Sequence, residues 1–247
     1  MTPSKRSDQA GFRPKRFWTS VAVAEADFTI RLDGRDVKTP AGHRLVLPNA
    51  ALAERVAAEW AGVADFVDYE AMPLTRLAFA AIDRMPQVLD DTLAEVTRYA
   101  ETDLLCYPSD YPQALIERED AAWHPLLAWA SNVLELDFEQ NRSLVHKPQP
   151  PLTLEKIRAL VTAMSPWERA GLMAAIPLLG SVILALALWS GRLTGAEAFA
   201  ASRVGEDFQA ETWGRDDEAA QRADTMKCQV ESLELWFKAL PSPFRHA

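Results

Sequence analysis

Ala170–Gly191, reading AGLMAAIPLLGSVILALALWSG, is the stretch on which the fold turns. It carries no charged side chain and is as long as a bilayer span. Three features direct it to a globular core instead. Pro177 and Gly180 interrupt it, alanine makes up much of it, and capping residues bracket it. Ser165-Pro166-Trp167-Glu168 is a capping box with proline at the first helical position, and Gly191 suits a C-terminal cap. The stretch predicts one central helix buried on all sides, with no membrane insertion.

Downstream, Thr194-Gly195-Ala196-Glu197 is a second capping box. Ala219, Ala223, Met226, Val230, Leu233, Phe237 and Leu240 then alternate four and three apart, the seam of a long amphipathic helix. Upstream, Thr153 is placed to cap a helix whose inner face is Leu154, Ile157, Leu160, Val161 and Met164. Lys147–Pro151 is a stiff connector. Leu115, Trp123, Leu126 and Leu127 mark a helix with Pro125 as its kink, and Leu89, Leu93, Val96 and Ala100 mark another.

Before Pro73 the period changes. Phe28, Ile30 and Leu32 alternate with Thr29 and Arg31, as in a half-buried strand. Asp33-Gly34 follows, a pair that favours a type I′ hairpin. A second turn falls at Pro40-Ala41-Gly42, and Leu45 and Leu47 flank Val46 in a further short strand. Asn49 caps a helix carrying Leu52, Val56 and Trp60 on one face, and Val63–Tyr69 reads as another strand. The fold class is α+β, with a small β-rich domain over 15–83 and an all-helical, orthogonal-type bundle over 84–247. Residues 1–14 read as a disordered basic tail, with no secretory signal.

The formal net charge is −9, which repels phosphate backbones and argues against nucleic acid as a partner. Only Cys106 and Cys228 are present, in no CxxC pair, as for reduced thiols in a reducing compartment. GxGxxG, GxxxxGK[ST] and GxSxG are all absent. The four histidines stand at no metal-ligand spacing to one another or to cysteine. Neither a cofactor nor a metal is expected. A hydrolase reading rests on Glu101 and Asp103, or on Cys106 with His124. Glu206, Asp207 and Glu211 form a further acidic group near Trp213, and carboxylates beside an aromatic suit arginine on a protein partner.

Several stretches in order resemble the assembly chaperones for the alpha subunit of the F-type ATP synthase. They are Arg16-Phe17-Trp18, Leu32-Asp33-Gly34-Arg35, Thr39-Pro40, Leu47-Pro48, Ala58-Glu59-Trp60, Met72-Pro73-Leu74-Thr75, Ile82-Asp83, Tyr99, Thr102-Asp103-Leu104-Leu105, Trp123 and Pro125. Ser202-Arg203, Glu206-Asp207-Phe208-Gln209 and Trp213-Gly214 continue the set. Gly205 and Ala210 depart from the family pattern, where an acidic residue and an aliphatic one are usual. The resemblance implies a non-enzymatic chaperone that binds the free alpha subunit before it pairs with beta. It implies two unlike domains and a role for acidic residues in the second. Glu206, Asp207, Gln209, Glu211 and Trp213 are the expected partner-binding residues. The protein is expected to be soluble and monomeric when free. The bacterial cytoplasm is the expected location, or the mitochondrial matrix in a eukaryote.

Overall fold

The computed structural model of the chain describes residues 14–143, 145–214 and 216–241. The expected basic tail lies outside the described residues except for Pro14. Two compact units divide between Phe79 and Ala80. The whole is α+β, a small antiparallel sheet at the start followed by helices.

In the first unit the strands β1 (Val21–Val23), β2 (Ile30–Leu32) and β3 (Arg35–Asp36) form an antiparallel sheet in that order. Arg31 pairs with Asp36 and Leu32 with Arg35. The turn between them is Asp33-Gly34, at φ 47° and 77°. Both are positive, as a type I′ turn requires. Asp33 also accepts hydrogen bonds from the backbone and hydroxyl groups of Ser20 and Thr19, which hold its carboxyl down at about 2. Ile30 and Leu32 are buried. Phe28, expected in the same strand, instead sits in a turn at φ 56°. Leu45 and Leu47 are buried beside the single bridge Thr29↔Val46.

Helix α1 (Ala50–Gly62) starts where Asn49 accepts from the Leu52 N–H, and buries Leu52, Ala53, Val56 and Trp60. Val63–Tyr69 is not a strand. It makes one bridge, Lys15↔Phe66, and passes into a 3₁₀ turn at Tyr69–Ala71. Asp68 explains the difference, since its carboxylate accepts from the Glu70 N–H and stabilises a local turn over an extended ladder. Helix α2 (Pro73–Phe79) follows. Its first turn is capped from α1, where the Glu59 carboxylate accepts from the Leu74 N–H at 2.8 Å, the Thr75 N–H at 2.7 Å and the Thr75 hydroxyl at 2.7 Å. A π turn at Ala80–Arg84 opens the second unit.

That unit continues with α3 (Leu89–Glu101), α4 (Gln113–Leu134), α5 (Pro151–Ala163), α6 (Pro166–Leu179), α7 (Val182–Ser190), α8 (Gly195–Ser202), α9 (Val204–Trp213) and α10 (Asp217–Ala239). Helix α4 continues through Pro125. Both capping boxes form, at Ser165 and at Thr194. Thr153 caps nothing. Helix α5 already begins at Pro151, and the Thr153 hydroxyl donates to the Asp137 carbonyl at 2.6 Å.

The single uncharged helix is in fact two. Gly180 ends α6 at φ 66°, and Ser181 starts α7 by accepting from the Leu184 N–H. Every residue of α7 is buried. No helix among the described residues is long and apolar enough to cross a membrane. Helix α10 packs on α6 and α8 through its C-terminal half, where Val230, Leu233, Trp236 and Phe237 are buried. Gly171 makes close approach possible, since a Cβ there would lie 2.6 Å from the Phe237 ring and 2.8 Å from Trp236. Ala219, Ala223 and Met226, in the other half of the seam, stay half-buried.

Candidate functional site

The five expected partner-binding residues all lie on α9, a helix with no fully buried residue. Helical periodicity divides them into two stripes. Glu206, Gln209 and Trp213 stand at i, i+3 and i+7 and share one face. Asp207 and Glu211 stand at i and i+4 on an adjacent face. All five are exposed, and Trp213 is 77% exposed, a large aromatic surface to leave in water.

The second stripe already has partners. Arg118 on α4 donates to Glu211 at 2.7 Å, and its guanidinium lies over the Phe208 ring, 5.1 Å from the centroid. Arg203, before α9, stands 3.7 Å from Asp207. The Arg118 pair is exposed on both sides, and the Arg203 pair is long and exposed on its Asp207 side, so each contributes on the order of 1 kcal/mol or less. Glu206 makes no ion pair among the described residues. The open stripe is therefore one free carboxylate, one amide and one indole. Such a surface can accept from an arginine and cover an apolar patch on another protein. The reading of the sequence missed Arg118, and it named Arg203 and the half-exposed Phe208 without their contacts to this site. Arg118 lies about ninety residues away, and no local spacing signals the contact.

Among the described residues, no hydrogen bond or ion pair joins Glu101 to Asp103 or Cys106 to His124. Glu101 accepts from the Gln149 N–H at 3.0 Å. Asp103 is fully buried and accepts from the Leu105 N–H at 3.0 Å and the Ile183 N–H at 3.1 Å. Burial raises its carboxyl to about 6, although bonds from Ser181 and three backbone N–H groups favour the charged form. Cys106 is fully buried too. Desolvation, and then the nearby Asp103 charge, push its thiol up, which disfavours the nucleophilic thiolate. His124 is exposed and faces Asp120 at 3.3 Å and Gln140 at 3.2 Å. Asp103 holds the start of α7, and that is structural work. No group of three metal-ligating side chains occurs among the described residues. A cleft of about 640 Å³ lies beside Tyr107, where the phenol and the His146 Nδ1 are 2.8 Å apart. It is lined also by Arg142, whose guanidinium is committed to the Ser109 carbonyl and the Asp120 carboxylate.

The chain thus combines a small sheet-bearing unit, a helical unit and an exposed acidic and aromatic helix. The fold matches the crystal structure of Atp12 from Paracoccus denitrificans with a TM-score of 0.85 and 37% identity, over 92% of this chain and 98% of that one. Protein atp12, mitochondrial, of Schizosaccharomyces pombe is 26% identical over 225 residues, 85% of this chain and 77% of its own length. Protein ATP12, mitochondrial, of Saccharomyces cerevisiae is 23% identical over 247 residues, 81% of this chain and 76% of its own length. The ATP12 chaperone protein family profile matches residues 15–131. The chain belongs to the ATP12 chaperone family.

Proposed function

We propose that the chain is an ATP synthase assembly chaperone that binds the free alpha subunit and keeps it from aggregating until beta replaces it. An unpaired alpha subunit exposes an apolar interface, and exposed apolar patches of that size drive aggregation. A chaperone has to cover the patch and then release it. Charged contacts around one aromatic anchor give binding that is specific and reversible. The observation that carries the reading is the open stripe Glu206–Gln209–Trp213 on a helix with no buried residue. Asp207 and Glu211 add charge beside it and join the binding surface. The protein acts as a monomer in the bacterial cytoplasm, without catalysis, and its two free cysteines suit a reducing compartment. The fungal relatives are mitochondrial by name.

The test mixes the purified chain with isolated alpha subunit and follows aggregation by light scattering. Wild-type protein suppresses the scattering. Glu206→Lys with Asp207→Lys loses the suppression while keeping its melting temperature. If the double variant protects alpha as well as the wild type does, α9 is not the binding surface.

A further inference from the structure

We infer that the N-terminal unit carries its own peptide-docking groove, suited to an extended partner segment with one aromatic or branched aliphatic anchor flanked by carboxylates. The groove encloses about 240 Å³ between the segment 14–18, the Arg35–Lys38 edge, and Trp60, Val67 and Tyr69. Whole small-molecule sites start near roughly 300 Å³, so this one fits a side chain or two of a peptide better than a cofactor. Its wall is a run of aromatic contacts. Phe17 and Trp18 have centroids 5.2 Å apart, Trp18 and Trp60 5.4 Å, and Trp60 and Tyr69 6.4 Å. Phe17 remains 69% exposed at one end, Tyr69 39%, and Phe66 nearby 54%.

Two observations say what fits. The first is an orphaned donor. Trp60 is 5% exposed, and its buried Nε1–H has no hydrogen-bond partner among the described residues, whereas the Trp18 Nε1–H donates to the Trp60 carbonyl at 3.3 Å. A buried N–H left unpaired is costly, and because the atom is closed off in the free protein, a bound segment's backbone carbonyl pairs with it once the aromatic side chains of the wall shift on binding. The second is the charge of the rim. Lys15, Arg35 and Lys38 line the groove and make no ion pair among the described residues. The one carboxylate in the lining, Asp36, is already held by Arg31 at 2.9 Å and Arg44 at 2.8 Å. A chain of net charge −9 thus presents free cations around an aromatic slot, which attracts an acidic segment and repels a basic one. The inference names the chemistry of the segment alone and stands whether or not the alpha-subunit reading holds.

The test uses the full ¹⁵N-labelled chain with its indole resonances assigned, titrated with acetyl-EDFVED-amide and with acetyl-KKFVKK-amide. The acidic peptide is expected to move the Trp60 indole signal saturably, with affinity falling at least several-fold as salt rises. The basic peptide leaves it unmoved. Lys15→Glu with Lys38→Glu, both at the charged rim, is expected to reverse the preference. Absence of a saturable shift, equal response to both peptides, or an unchanged preference in the variant overturns the proposal. So does a Trp60 signal that moves on dilution without peptide, which would assign the groove to a second copy. A signal that moves on deleting residues 1–13 would assign the groove to the chain's own N-terminal segment and overturn the proposal as well.

Discussion

Arg118 holds Glu211 at 2.7 Å across the contact between α4 and α9, with its guanidinium over the Phe208 ring. It is the main polar link between the exposed helix and the helical unit. Because α9 buries no residue, its place depends on few contacts. Arg118→Ala is expected to lower global stability by about 1 kcal/mol or less. Its local effect is larger. Amide exchange over Val204–Trp213 should speed up while α6 and α7 stay protected. Unchanged protection of α9 in the variant would show that Phe208 alone docks the helix.

Trp213 is expected to be the anchor of the proposed interface. It is 77% exposed in the free protein, so its removal takes nothing from the core. Trp213→Ala should leave the melting temperature unchanged and weaken binding of the alpha subunit by about 2 kcal/mol, roughly thirty-fold in affinity. Gln209→Ala, on the same stripe, should cost about 1 kcal/mol or less. Titration calorimetry with isolated alpha subunit measures both. Equal, small effects would move the anchor elsewhere.

Two glycines should respond in opposite directions. At Gly171 a new Cβ meets the Phe237 and Trp236 rings at 2.6–2.8 Å. Gly171→Ala therefore overpacks the α6–α10 contact and is expected to cost about 1–3 kcal/mol. At Gly205, in the first turn of α9, a Cβ meets nothing within 4 Å. Gly205→Ala gains helix propensity, at most about 0.5 kcal/mol, and should slow exchange in α9. Urea denaturation compares the two. A neutral Gly171→Ala would mean that α10 shifts freely on α6.

The elements with strong local signals were legible in the sequence. Asp33-Gly34, Asn49, Ser165, Thr194 and Gly191 each act through atoms within a few residues, and each forms as its chemistry dictates. What failed was set at a distance or by competition. The uncharged stretch broke because Gly180 took a left-handed conformation and the Asp103 carboxylate met the start of α7 from far away in sequence. Val63–Tyr69 has strand composition, but Asp68 supplies a competing turn. Glu59 and the Met72–Thr75 segment could be read only as two separate stretches. The structure joins them, since Glu59 caps the helix that Pro73 begins. That the five proposed binding residues share one helix was legible. That two of them are tied to arginines was not, because Arg118 sits on another helix.

Asp103 makes a pH prediction whose sign can be worked out. Burial raises its carboxyl from 3.8 to about 6 in the folded protein, and unfolding returns it to water. Between these values the native state holds more protons than the unfolded one, so stability falls as pH rises. Its favourable contribution is complete below pH 3.8 and is lost as pH rises through about 6. The full change corresponds to about 3 kcal/mol. Asp103→Asn cannot titrate, though it keeps an oxygen that can accept from Leu105 or Ile183. Other carboxyls, such as Asp33 with its lowered value, act in the opposite sense and are common to both proteins. The stability of wild type minus that of Asp103→Asn should therefore fall by up to about 3 kcal/mol between about pH 4 and about pH 7, read from urea midpoints. A difference that stays constant over that range would mean that Asp103 is ionised throughout, held by the N–H groups at the start of α7 against the cost of burial.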